Sequence, residues 1–206
     1  MPRLLHLPRI RSVATDRIRS TLDRLGRIER SRPHLDDRRW ANAMSLVSIH
    51  SAWERFAEHR LALELNHSPD HFLKTNIVKG IHRIPKGLAL YLVRGGMNYF
   101  DFRSCSDLPS KGDKLLSPAG NPFRNITASS RNVLDCMAAI RNAVVHESDS
   151  AMDSYKKRLR NDFGIKSAPS PGEFIDSIDR RRNSPTMGRK RIYFFAHVVN
   201  SIVATV

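Results

Sequence analysis

Arg141-Asn142-Ala143-Val144-Val145-His146 brings a permanent cation, a short carboxamide and a titratable imidazole within six residues. An imidazole moves protons near neutral pH, and a guanidinium holds a phosphate while charge builds on it. Those are the groups that metal-independent cleavage of an RNA phosphodiester needs. His50 stands one helical turn before Glu54, a spacing that suits a helix-face hydrogen bond as well as chemistry. His59, His67 and His71 gather near a helix end without a thiolate or a matched carboxylate set, so no metal and no cofactor is expected. Cys105 and Cys136 lack metal-ligand spacing, and no phosphate-binding glycine loop or serine elbow is present.

The element that must position the motif is a helix starting at Ser129 or Ser130 and ending near His146, with Val133, Met137, Ile140 and Val144 inward. On an ideal helix Asn142 and His146 share one outward face, whereas Arg141 and His146 lie about 140° apart. Periodicity alone therefore does not bring the cation to the imidazole. The helix must distort, the Arg side chain must wrap, or a second copy of the same face must complete the site.

Around that helix, hydrophobic periodicity predicts an all-α bundle of about five or six helices with long inter-helix loops. Segment 16–30 reads as a short amphipathic helix, and 36–65 as a long central one with Ala43, Leu46, Ile49, Trp53 and Phe56 in a stripe. A helix starts after Pro69 and runs through His71, Phe72, Ile77 and Ile81, and 88–93 reads as its continuation after a proline kink, with a strand as the alternative. Pro109, Gly112, Pro118, Gly120 and Pro122 mark 101–128 as a long loop insertion. Helices over 152–161, 173–182 and 189–203 complete the chain, the last with Ile192, Phe195, Val199 and Ile202 on its apolar face. Residues 1–14 form a basic N-terminal arm, and 15–206 form the helical domain.

The formal net charge is +15, carried mostly by Arg, and implies a polyanionic partner, because every phosphate contact releases condensed counterions. Charge concentrates in 1–40 and in a second block over 156–191, where Lys156, Lys157, Arg158, Arg160, Arg180, Arg181 and Arg182 fall. Solvated helix faces would give the same composition. No apolar run reaches the ~20 residues of a membrane span, so no membrane association is expected, and two cysteines without a pairing pattern suit a reducing, cytoplasmic setting.

Residues 139–146 are similar to the Arg-(four to six residues)-His motif of HEPN domains, with a polar residue after the Arg. Residues 39–56, an apolar run that leads into Glu54, Arg55 and Phe56, resemble the long early helix of the RiboL-PSP-HEPN group. The likeness spans roughly 15–203, and these two segments carry its specific part. It implies a HEPN-like bundle that forms a homodimer, sets both Arg-His motifs in one cleft and cleaves RNA without metal. By position, His146 would be the general acid or base, Arg141 the phosphate ligand, Asn142 an orienting group, and Glu54 a residue that tunes His146 or Arg141. A toxin or defence effector of this kind would need a neutralising partner such as an antitoxin. The alternative is a non-catalytic RNA-binding or scaffold domain on the same fold. A DNA-binding role lacks a helix-turn-helix signal.

Overall fold

A long helix with a broad apolar surface has to be covered by its neighbours, and the segment after Pro33 is such a helix. In a computed structural model of the chain, which describes residues 5–98, 100 and 104–206, this is α2, Leu35–His67, and it is the axis of the molecule. The expected stripe of Ala43, Leu46, Ile49, Trp53 and Phe56 is buried, and burial continues round the helix through Ala52, Ala57, Leu61 and Leu65. Packed against it are α1 (Leu7–Arg30), α4 (Lys86–Val93), α6 (Ala128–His146), α8 (Pro171–Asp176) and α9 (Arg191–Thr205). The short α3 (Asp70–Thr75) and α5 (Asp107–Asp113) and the basic α7 (Asp149–Phe163), which pairs with α6, complete an all-α set of nine helices among the described residues. No strand forms there; a single antiparallel bridge joins Ile178 to Lys190.

Helix α1 begins at Leu7, not at Asp16, so much of the supposed arm is helix, its Ile10 and Ala14 buried with Ile18 and Leu25. Pro8 does not prevent this. It occupies the first turn, where a missing N–H costs nothing and a fixed φ suits the helix. Leu5 is pinned to α2: its N–H donates to Asn66 Oδ1 at 3.2 Å, and the His67 ring lies 2.8 Å from its carbonyl. Arg3 lies outside the described residues.

After Pro69 the helix stops at Thr75 and never reaches Ile81. Ile77 takes a left-handed φ of 54°, and Val78 N–H caps the Leu73 carbonyl at 2.9 Å, which closes the turn. Helix α4 is therefore a separate element that starts after Pro85, not a kinked continuation.

The insertion is folded. Its first three residues, 101–103, lie outside the described part; the remainder contains α5 and two 3-10 turns, Pro118–Gly120 and Pro122–Asn125, each started by a proline. Leu108 and Phe123 are fully buried, and the Phe123 ring meets Trp53 of α2 edge-on with centroids 6.1 Å apart. Prolines that read as loop signals instead open short helical turns, whose apolar residues add to the core.

Helix α8 ends at Asp176, well short of Arg182. The chain beyond it forms a loop organised on Asp179, whose carboxylate is wholly buried and accepts from Arg181 Nε and Nη2, both at 2.8 Å, and from Thr186. The Arg181 guanidinium also lies 3.8 Å from the centre of the Phe194 ring. Part of the second basic block is thus spent inside the fold, since Arg158 likewise pairs with Asp135 at 3.3 Å. Among the described residues no helix is long and apolar enough to cross a membrane.

Candidate functional site

Thr127, not Ser129 or Ser130, caps α6: its hydroxyl accepts from Ser130 N–H at 3.2 Å. Met137, Ile140 and Ala143 are buried against the core, with Val133 and Val144 at its margin, and this fixes the rotation of the helix. Arg141 and Asn142 are then half-buried and His146 is exposed. Glu147 closes the helix in a left-handed conformation, φ 48°, so His146 sits at its very end.

Despite the angle between them, Arg141 and His146 meet. Arg141 Nη1 lies 3.2 Å from His146 Nε2 and 2.8 Å from Asn142 Oδ1. The wrapping of the Arg side chain, one of three routes open to the sequence, accomplishes this within a single chain. A guanidinium only donates, so this contact uses the imidazole lone pair on Nε2. The three motif residues form one hydrogen-bonded cluster with Arg141 as its hub.

The floor behind the cluster comes from α2. Glu54 is one-third exposed at its side chain, and its Oε1 lies 3.6 Å from Nδ1 of the buried His50, just beyond hydrogen-bond range. Burial pushes the Glu54 carboxyl up, but His50 and the charge of Arg141 outweigh it and hold the group below the ordinary glutamate value. Glu54 is therefore in the electrostatic field of Arg141, though it makes no hydrogen bond to Arg141 or His146. Buried Arg141 Nε, His50 Nδ1 and Trp53 Nε1 have no hydrogen-bond partner among the described residues. Unsatisfied buried donors are uncommon in native folds and concentrate where ligands or water act.

His50 is the residue whose place in this group the sequence left undecided: the i, i+4 spacing to Glu54 was visible, its burial was not. His67 is a structural ligand of the Leu5 carbonyl, and no group of three or more His, Cys, Asp or Glu with metal-holding geometry occurs among the described residues. Compared with known proteins, the chain matches no family model, no curated protein and no solved structure.

Basic groups also gather on the α1 side of α2. Arg9, Arg17, Arg55 and Lys86 edge a cavity of about 320 Å³ floored by Ile10 and Phe56. None of the four has an ion-pair partner among the described residues.

Proposed function

We propose that the chain is a metal-independent endoribonuclease of HEPN type, acting in the cytoplasm as a toxin or defence effector on RNA. The observation that carries this reading is the Arg141–His146 contact at 3.2 Å with Asn142 on the same guanidinium. In the free protein Arg141 covers His146 Nε2. A scissile phosphate draws the guanidinium to its own oxygens, where a charge-assisted, bidentate contact is stronger, and this exposes Nε2 for proton transfer.

The reaction rests on those two groups. The ribose 2′-oxygen attacks phosphorus as its proton passes to a base; the bond from phosphorus to the 5′-oxygen breaks, and that oxygen takes up a proton. His146 serves as the base or the acid of these transfers, and Arg141 stabilises the charge on the non-bridging oxygens. The products are a 2′,3′-cyclic phosphate and a 5′-hydroxyl. Asn142 Oδ1 orients Arg141, and Glu54 with His50 sets the field behind it.

Purified protein is expected to fragment total RNA or tRNA in EDTA and to leave cyclic phosphate ends. His146→Ala should abolish this, and Arg141→Ala should reduce it strongly. Unchanged cleavage by His146→Ala would remove the mechanism. RNA that is bound but never shortened would instead favour the non-catalytic scaffold reading.

A homodimer with two Arg-His clusters in one cleft is part of the proposal. Assembly is not needed to join Arg141 to His146, so its role would be to wall the exposed side of His146, next to the exposed Val145. A neutralising partner would then act by covering this face.

A further inference from the structure

Beside Asn142 a recess of about 440 Å³ opens between α6 and α7. Ala138, Ala139 and Asn142 form one wall, and Ser154, Lys157 and Asn161 the other. Ala138 and Ala139 stand one helical turn before Asn142, Ser154, Lys157 and Asn161 keep the i, i+3, i+7 spacing of a single face, and His146 lies one turn beyond Asn142. The recess thus adjoins the Arg141–His146 cluster through Asn142, which belongs to both.

Its chemistry is selective. Two alanines on the α6 wall add little bulk of their own to the space between the helices. The rims carry carboxamides and a hydroxyl, which offer donors and acceptors together. The side chains of Asn161 and Ser154 make no hydrogen bond among the described residues, and Asn142 uses only its Oδ1, towards Arg141. One carboxylate lines the recess, Asp135, and it is already engaged: it accepts from Cys105 N–H at 2.5 Å and pairs with Arg158 at 3.3 Å. Lys157 has no ion-pair partner among the described residues. A planar heterocycle with mixed donor and acceptor edges, attached to a phosphate, satisfies every one of these groups, and the volume lies in the ~300–1,000 Å³ range of ligand sites. Carboxamides are the side chains that pair bidentately with base edges, and only unpaired bases present those edges freely. Asn161 also lines a second hollow of about 480 Å³ near Arg181 and Asn183, farther along α7.

We propose that the α6–α7 recess is the base subsite for single-stranded RNA, with Asn142 and Asn161 reading the base edge and Lys157 holding the adjoining phosphate. Its register against the scissile bond rests on the ribonuclease reading; its occupancy by a base does not.

The test is equilibrium binding of four labelled homopolymer RNA 12-mers to the His146→Ala protein, which holds RNA without consuming it. Unequal affinities are expected among the four. Adding Asn161→Ala should bring them within about twofold of each other, and adding Ala138→Leu, which fills the recess, should weaken the best about tenfold or more. If both added variants bind all four as the parent does, RNA is held by basic faces elsewhere and the proposal is overturned. Competition by free nucleoside monophosphates as effective as the 12-mer would also overturn it, in favour of a mononucleotide site. Should Ala138→Leu melt well below the parent, the Asn161→Ala result decides. Wild-type protein that leaves RNA uncut while its binding depends on the recess would sink the ribonuclease reading and leave the subsite standing; cleavage with recess-independent binding would do the reverse.

Discussion

Arg141 is placed where it can serve either an imidazole or a phosphate, because its own helix holds it half-buried and Glu54 sets its field. Replacing Glu54 by Gln removes a carboxylate whose folded value is depressed. Such a group contributes stability above the unfolded carboxyl range and loses it as pH falls through the folded value. Glu54→Gln should therefore be less stable than wild type at pH 7 by under ~1 kcal/mol, since the side chain is partly solvated. Urea denaturation should show the gap closing as pH is taken below the carboxylate range, and a gap that widens there would contradict the assignment. The two thiols make a second residue-scale case. Burial drives both Cys105 and Cys136 up to about 12, so neither carries thiolate near neutrality. Alkylation by iodoacetamide at pH 8 should be slow in the native protein and fast in urea; rapid native labelling would refute their burial. The motif residues stand out in the sequence as candidates because the chemistry proposed for them depends on residue type and spacing. The contact between Arg141 and His146 was not legible there, because a helical wheel fixes Cβ directions and says nothing of where a long, flexible side chain goes.

The elements show where local signals were enough and where they were not. The long helices α2 and α9 fall close to their expected bounds, since burial of an apolar stripe outweighs local preference, and α1 keeps its expected end at Arg30 although it starts earlier, at Leu7. Short ones do not, because a helix of six or seven residues is held by its neighbours. The insertion is the clearest instance. Phe123→Ala should cost ~3–5 kcal/mol, the range for an aromatic removed from a packed core, where a loop residue would cost almost nothing. Chemical denaturation measures it, and a change under about 1 kcal/mol would mean that 104–126 does not pack on Trp53. Helix α8 is set by a different constraint. A Cβ at Gly172 would approach the Arg39 carbonyl oxygen to 2.7 Å, so Gly172→Ala should force α8 away from α2 and lower the melting temperature. Asp176, which accepts from Arg38 at 2.9 Å and Lys190 at 2.6 Å, would lose those partners.

Across the whole molecule, charge has two uses that composition cannot separate. Arg181, Arg158 and Lys190 are committed to Asp179, Asp135, Asp176 and Glu29, whereas Arg9, Arg17, Arg55, Lys86 and Lys157 have no ion-pair partner among the described residues. RNA affinity should fall linearly in log–log form with salt, by ~0.7 per phosphate neutralised on a single strand. Reversing Arg55 and Lys86 together should flatten that slope if the α1 side of α2 also touches RNA, and leave it unchanged if contact is confined to α6 and α7. If dimerisation walls the site, specific cleavage activity should drop on dilution through the range where sedimentation shows the dimer dissociating; constant activity per chain would mean that one chain suffices. The amino-acid sequence by itself determined the all-helical class, the long central helix and the basic character, and it marked Arg141, Asn142, His146 and Glu54 as candidates, because periodicity, charge and functional-group chemistry are local properties. Tertiary structure alone decided that Arg141 reaches His146 in one chain, that His50 lies buried behind Glu54, that the insertion is core, which cations are spent, and that α6 and α7 enclose a recess beside Asn142. Each of these depends on residues far apart in the chain or on the path of a side chain, and neither is encoded in spacing.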